Sequence, residues 1–225
     1  MRRVASRSLA AGSALLLAAC ASGGATSSPW GQYFELLQQG FSNTFGGGAI
    51  TRDQAAATPY ASLGYRLNGG PQGLVVLATN INGEQLWTSS AHIVLVTQDG
   101  RVTRSVGLAH DIGRLVPSSG TTLPRPALAM SGPLTVTLMA DFPDIASYSV
   151  PLTCHLAAMG VDPITILGQA IATTRVEENC ESPQLGWRFR NSYWLDPTSG
   201  FAWRSLQHLT PKGDTIETEI LRPPG

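Results

Sequence analysis

Between Tyr60 and Val106 the chain reads YASLGYRLNGGPQGLVVLATNINGEQLWTSSAHIVLVTQDGRVTRSV, and this stretch decides the fold class. Apolar, β-branched and aromatic residues come in short runs, at 60–68, 72–79, 84–89, 91–98 and 101–106, the length of strands and not of helices. Between them stand Asn68-Gly69-Gly70, Asn82-Gly83 and Asp99-Gly100, residue types that tolerate the positive φ of tight hairpin turns. Links this short impose antiparallel pairing, because a parallel crossover needs a dozen residues or more.

The same grammar continues downstream at 133–140, 146–157, 163–167, 170–179, 185–195, 200–209 and 215–221. Residues 107–132, broken by Pro117, Gly120, Pro124, Pro126 and Gly132, read as the one long loop. The expected fold is all-β: an antiparallel meander of about a dozen strands forming a closed or nearly closed β-barrel, which removes sheet edges. A two-sheet β-sandwich is the alternative. Upstream, Thr51 with Gln54 three residues later forms a capping box for a short helical turn that stops before Pro59. Ser28-Pro29 opens a short N-terminal helix whose Trp30, Phe34, Leu37 and Phe41 share one face, ended at Gly46-Gly47-Gly48.

The extreme N-terminus sets the compartment. Arg2, Arg3 and Arg7 precede a short apolar run that ends in Leu17-Ala18-Ala19-Cys20. A basic start, a brief apolar core and small residues at the cut site mark a secretory signal over 1–19, too short for a permanent membrane span. Cys20 after Leu-Ala-Ala resembles the lipobox of bacterial lipoproteins. There the thiol is diacylglycerated, the signal is cut before it and the new amino group is acylated. Each buried CH₂ contributes about 0.8 kcal/mol, so three acyl chains anchor the protein permanently. Ala21, in place of the Asp that in many Gram-negative bacteria retains lipoproteins in the inner membrane, favours the outer membrane by analogy. Residues 20–28 then form a lipidated, flexible tether rich in Ser, Gly, Thr and Ala. Residues 29–225 form one β-rich periplasmic domain.

Composition narrows the function classes. The 225 residues carry 15 basic and 15 acidic groups, with 43% hydrophobic content, which excludes disorder. Loss of 1–19 removes three arginines and no acid, leaving a mildly acidic body with 12 basic and 15 acidic groups. No basic block lies beyond the N-terminus, so nucleic acid is not an expected partner. Cys154 and Cys180 remain once Cys20 is lipidated, and an oxidising compartment favours a disulfide between them. Neither has a metal-ligand neighbour at CxxC or HxxxH spacing, so no metal or other cofactor is expected.

Three blocks carry a family resemblance. The first is TPYASLGYRLNGGPQGLVVLA, from Thr58, with GEQLWTSSAHIVLVTQDGRVTRSVGL after it. The second is the pair VPLTC and TRVEENC, and the third is NSYWLDPTSGFAWRSLQHL, from Asn191. Together, in an exported chain with a lipobox, they resemble the YjbF/GfcB family of group 4 capsule polysaccharide lipoproteins. The resemblance implies a β-rich periplasmic domain on an outer-membrane lipid anchor, working with exopolysaccharide assembly and secretion proteins of the outer membrane and periplasm. It brings no catalytic residues with it.

The residues themselves support no enzyme. The nearest approach to a nucleophile elbow, Tyr60-Ala61-Ser62-Leu63-Gly64, lacks the first Gly and lies in a strand pattern. His110-Asp111 reads as a polar loop, and His92, His155 and His208 as isolated histidines in strand patterns satisfied locally. Asp141, Asp144 and Asp196 read as turn formers, and Glu177 and Glu178 point to opposite faces of a strand. The function expected is therefore a non-enzymatic accessory lipoprotein of exopolysaccharide or capsule export, the alternative being a glycan- or small-ligand-binding barrel or a carbohydrate-processing enzyme.

One surface invites a ligand. In the strand 185–195, Trp187, Phe189, Asn191, Tyr193 and Leu195 share one face, while Arg188, Arg190, Ser192 and Trp194 share the other. Pairing Leu195 with Phe201 across the following turn sets Tyr193 against Trp203 and Ser192 against Arg204. Arg188, Arg190, Trp194 and Arg204 then form a guanidinium row beside an indole, suited to an acidic polysaccharide. The same row equally suits a solvated face paired with Glu217 and Glu219.

Overall fold

The computed structural model describes residues 48–225, apart from 121 and 214. The signal segment 1–19, Cys20, the tether and the helix expected through Trp30 to Phe41 lie outside them. In chain order the elements are α1 (Arg52–Ala57), β1 (Ser62–Leu67), β2 (Gln72–Ile81), β3 (Glu84–Thr88), β4 (Val94–Gln98), β5 (Arg101–Val106) and β6 (Arg114–Pro117). They continue with β7 (Leu134–Phe142), β8 (Ser147–Val161), β9 (Ile164–Ile166), β10 (Gln169–Ile171), β11 (Thr174–Ser182), β12 (Trp187–Leu195), β13 (Ala202–His208) and β14 (Thr215–Arg222).

Twelve of the strands make one antiparallel sheet, in the order β5-β4-β3-β2-β1-β14-β13-β12-β11-β8-β7-β6, rolled into a nearly closed barrel. Sheet neighbours are consecutive in the chain except where β1 meets β14 and β11 meets β8. The two end strands, β5 and β6, meet at a seam that side chains finish. Ser105 N–H donates to the Ile112 carbonyl (3.0 Å), Ile112 N–H to Ser105 Oγ (3.1 Å), and Arg104 Nε to the Gly113 carbonyl (3.2 Å). Asp111 fixes the turn between them by accepting from Ser105 Oγ and from the Gly107 and Leu108 amides.

Three sequence expectations are corrected. The stretch 107–132 is not a plain loop. It contains β6, which pairs with β7, and a 3-10 helix over Pro126–Ser131. Four residues ending in a proline are too few for a periodic signal, and β6 gains its partner only when β7 returns beside it. The run 163–179 is also not two barrel strands: β9 and β10 form a separate hairpin, and β11 begins at Thr174. His92, expected in a strand, sits at φ 61° in the turn ahead of β4.

Inward alternation builds the core. Val75, Trp87, Leu95, Val150, Tyr193, Leu195 and Ile216 are fully buried. Trp87 donates its indole N–H to Thr97 Oγ1 (2.9 Å), so its one polar atom is satisfied inside. Helix α1 has the predicted capping box, with Thr51 and Gln54 exchanging side-chain bonds to each other's amides. It packs Ala55 with Ile50 and Leu74 on the outer face of the sheet, where Leu167 and Leu221 join them. Gln72, buried there, accepts from Ile50 N–H and donates to Glu219. Gly64 makes its room, since a Cβ there would lie 2.5 Å from Gln72 Nε2.

Gly73 stands opposite Tyr65 in the β1–β2 register, and a Cβ at Gly73 would lie 2.5 Å from two ring carbons. The half-buried ring covers the glycine, and burial raises the Tyr65 pKa above its ordinary value. Gly73→Ala should destabilise the protein by about 1–3 kcal/mol in urea unfolding, the usual penalty of overpacking. In a Tyr65→Ala background the same substitution should have little further effect.

Candidate functional site

The arginine-tryptophan row lies on the outer face of β12 and β13, as strand alternation requires. Its register differs from expectation. Trp194 pairs with Arg204, Tyr193 with Ser205 and Leu195 with Ala202, which leaves Trp203 as the extra residue of a β-bulge. The shift brings the Arg204 guanidinium over the Trp194 ring, 5.8 Å from its centroid.

Each guanidinium already has a carboxylate. Arg204 is bonded through Nε and Nη2 to Glu219, lies 3.7 Å from Glu217 and donates to the Thr165 carbonyl. Trp194 Nε1 donates to Asp162 (2.9 Å), so the segment leading through β9 lies against this end of the row. Arg190 donates to Asn179 Oδ1 and lies 3.6 Å from Glu177, and Arg188 lies 3.3 Å from Glu181. Arg188 and Arg190 remain 85% and 62% exposed, whereas Arg204 is 21% exposed. Ion pairs at such exposure contribute about 0–1 kcal/mol each, so an anionic polymer could exchange with Glu181 and Glu177 far more easily than with Glu219.

A second constellation, inside the barrel, escaped the sequence reading. Arg101 and Glu178 are each 1% exposed and joined through Arg101 Nη2 and Glu178 Oε1. Glu178 Oε2 also accepts from Tyr193 Oη (2.8 Å) and Asn191 Nδ2 (3.0 Å), while Arg101 Nη1 donates to the Pro124 carbonyl (2.8 Å). Burial by itself would lower the Arg101 pKa, but Glu178 and Tyr193 outweigh it and hold the guanidinium charged. Tyr193 is pushed well above its ordinary value, first by burial and then by Glu178, and stays a neutral donor. The signal was present in part: Val176, Glu178 and Cys180 are in phase on β11, so a buried Cys180 turns Glu178 inward. Arg101 gave none, because an arginine after Asp99-Gly100 reads as a solvated turn residue.

The expected Cys154–Cys180 disulfide is formed, between residues directly opposite each other on β8 and β11. Glu178 and the two sulfurs offer ligand atoms within 4.8 Å of one another, a spacing that suits a metal, but the bridge consumes both thiolates. His110 Nδ1 lies 2.7 Å from Asp144 Oδ2, while Asp111 is turned to the β5 seam, so this His-Asp pair does not converge on one site. His155 meets Thr135 Oγ1 at 2.9 Å, and His208 Nδ1 is buried without a partner among the described residues. Asp141 binds Arg114 and the Ser149 amide.

With this geometry in view, the sequence model described as "Group 4 capsule polysaccharide lipoprotein gfcB, YjbF" matches residues 46–221. The chain belongs to that family of capsule-related lipoproteins. The uncharacterized lipoprotein GfcB of Escherichia coli (strain K12) is 26% identical over 175 residues, covering 77% of this chain and 81% of the relative. The uncharacterized lipoprotein YjbF of the same organism is also 26% identical over 175 residues, 77% of this chain and 80% of the relative. The crystal structure of the hypothetical lipoprotein YmcC from Escherichia coli (K12) shares the fold. Its TM-score is 0.69 at 22% identity, covering 88% of this chain and 97% of that one.

Removing either partner of the buried pair, by Glu178→Ala or Arg101→Ala, should lower unfolding free energy by about 3–5 kcal/mol, because an uncompensated charge is left inside. The double variant Arg101→Met with Glu178→Leu should lose less than either single one. Asp196 offers a pH-dependent test. Its pKa is lowered by the Ser199 amide and hydroxyl and by the Thr198 amide. A depressed native pKa stabilises above the unfolded value of about 3.9 and is lost as pH falls through the native one. The protection factors of the Thr198 and Ser199 amides, exchange rates referred to the intrinsic rate at each pH, should therefore fall at acid pH, and Asp196→Asn should remove that step.

Proposed function

We propose that the chain is an accessory lipoprotein of exopolysaccharide or capsule export, held to the outer membrane through lipid on Cys20 and facing the periplasm. It acts without catalysis, by contact with secretion proteins of the outer membrane and periplasm. The observation that carries this reading is the capsule-family match over residues 46–221, behind an N-terminus that ends its apolar run in Leu-Ala-Ala-Cys20. Several described carboxylates are engaged in structure, which favours a binding role: Glu178 is tied to Arg101, Asp141 to Arg114, and Glu177 and Glu181 to the outer arginines. If an acidic polysaccharide touches the barrel wall, Arg188 and Arg190 are the exposed contacts, and Trp194 with Arg204 is a held pair beside them.

Metabolic feeding with a clickable fatty acid should label the protein, and Cys20→Ser should abolish the label. Deleting the gene should reduce secreted polysaccharide, restored by the wild-type chain and not by the Cys20→Ser form. Persistence of the label in that variant, or unchanged export in the deletion strain, contradicts the reading.

A further inference from the structure

The barrel is not filled to both ends. At the end where the β2–β3, β4–β5 and β12–β13 tips gather, a chamber of about 290 Å³ opens between Gly83, Gly100 and Gly200. That is close to the lower limit of small-molecule pockets, roughly 300 Å³. Gln207 closes it from below: it donates to the Gly100 carbonyl and to Ser205 Oγ and accepts from Val102 N–H, separating the chamber from the Arg101–Glu178 network.

The rim is built from close backbone approaches. Gly100 sits at φ +82°, and a Cβ there would stand 2.3 Å from the Ala202 Cβ. Gly200, at φ +71°, meets Ala127 in the same way at 2.6 Å. These contacts fix two tips against their neighbours, and the Asp99–Arg125 ion pair, at 3.0 Å, straps the β4–β5 turn to the segment before the 3-10 helix. The mouth is therefore set before any ligand arrives, which spares the ordering cost of binding.

The wall chemistry selects the ligand class. Gln85, Thr97, Ser205 and Thr218 line the chamber with uncharged amide and hydroxyl groups, Thr97 donating to Gln85 Oε1 and Ser205 bonded to Thr218, so that the Gln85 NH₂ and the remaining hydroxyl lone pairs face a ligand, and Phe201, Leu63 and Ile220 supply apolar flanks. The charges at the rim already have partners, Arg125 in Asp99 and Arg204 in Glu219, so a charged ligand has to displace a carboxylate or guanidinium before it gains a counter-charge, whereas a neutral one does not. An apolar chain would strip water from the Gln85 amide and the remaining hydroxyl lone pairs without replacing its hydrogen bonds. A compact neutral molecule with many hydroxyls and one apolar face meets both kinds of wall.

We infer that this chamber is a receptor for one neutral sugar residue, free or as the terminal unit of a polymer. The inference rests on the export reading for the source of the sugar. Binding itself is tested on the full-length protein in dodecylphosphocholine micelles, a detergent without sugar, by saturation-transfer NMR and calorimetry with glucose, galactose and N-acetylglucosamine. Methyl glycosides mimic a terminal unit, and glucuronate and hexanol serve as charged and apolar probes. Saturable binding of at least one neutral sugar, at least about tenfold weaker in Gln85→Leu, is the expected result, corresponding to one lost hydrogen bond of about 1.4 kcal/mol. Thr218→Val, which keeps shape and removes one hydroxyl, should weaken the same sugar and serves if Gln85→Leu fails to fold. No saturable binding by any neutral sugar, equal binding by both folded variants, or preference for glucuronate or hexanol overturns the inference. Sugar binding with unchanged export in the deletion strain supports the chamber and refutes only the export role, whereas impaired export without sugar binding does the reverse.

Discussion

An antiparallel sheet that curls on itself has to hold its terminal strands, and in this protein a buried charge does so. Arg101 opens β5, one end of the sheet, and reaches across the interior to Glu178 on β11 in the facing wall. Gln207 on β13 adds neutral ties to the same strand through Gly100 and Val102. A charge pair in a low-dielectric interior is costly unless its hydrogen bonds are met, and here Tyr193, Asn191 and the Pro124 carbonyl meet most of them. The seam between β5 and β6 can then be closed by a few side-chain bonds in place of a full ladder, because the end strand is already placed.

The same network joins the disulfide to the rest of the inner wall. Cys180 lies two residues beyond Glu178 on β11 and therefore on the same face, and its bridge to Cys154 staples β11 to β8. One half of the barrel is crosslinked covalently, and the other is drawn to it by the ion pair. The outer face follows a different logic. Its arginines interleave with Glu177, Glu181, Glu217 and Glu219, and such solvated pairs stabilise little while keeping the wall soluble and close to neutral. Among the described residues burial thus divides the arginines by role: Arg101 organises the interior, and Arg188, Arg190 and Arg204 dress the outer face.

Much of the fold is legible in local patterns. The hairpin turns at Asn82-Gly83 and Asp99-Gly100, the Thr51–Gln54 capping box, the two faces of β12 and the cysteine pair all depend on residues near each other in sequence or on a simple period. The misses share the opposite property. Strand β6 exists because β7 pairs with it, the bulge at Trp203 resets a register that alternation alone cannot count, and β9 with β10 leaves the barrel to pack outside it.

The candidate sites divide along the same line. Period-two alternation is enough to put Arg188, Arg190 and Trp194 on one outer face, because a strand's side chains alternate whatever lies beside it. Whether those groups are free or paired depends on which acids the neighbouring strands carry into contact, and that is a matter of register. The chamber and the Arg101–Glu178 pair are further from reach, since their walls come from strands that meet only when the sheet rolls up. The sequence by itself determined an antiparallel β-protein with a cysteine pair placed to bridge it, because turns and alternation are local. Only the tertiary structure decided which arginine faces inward and where space remains inside, because burial is set by strands far apart in the chain.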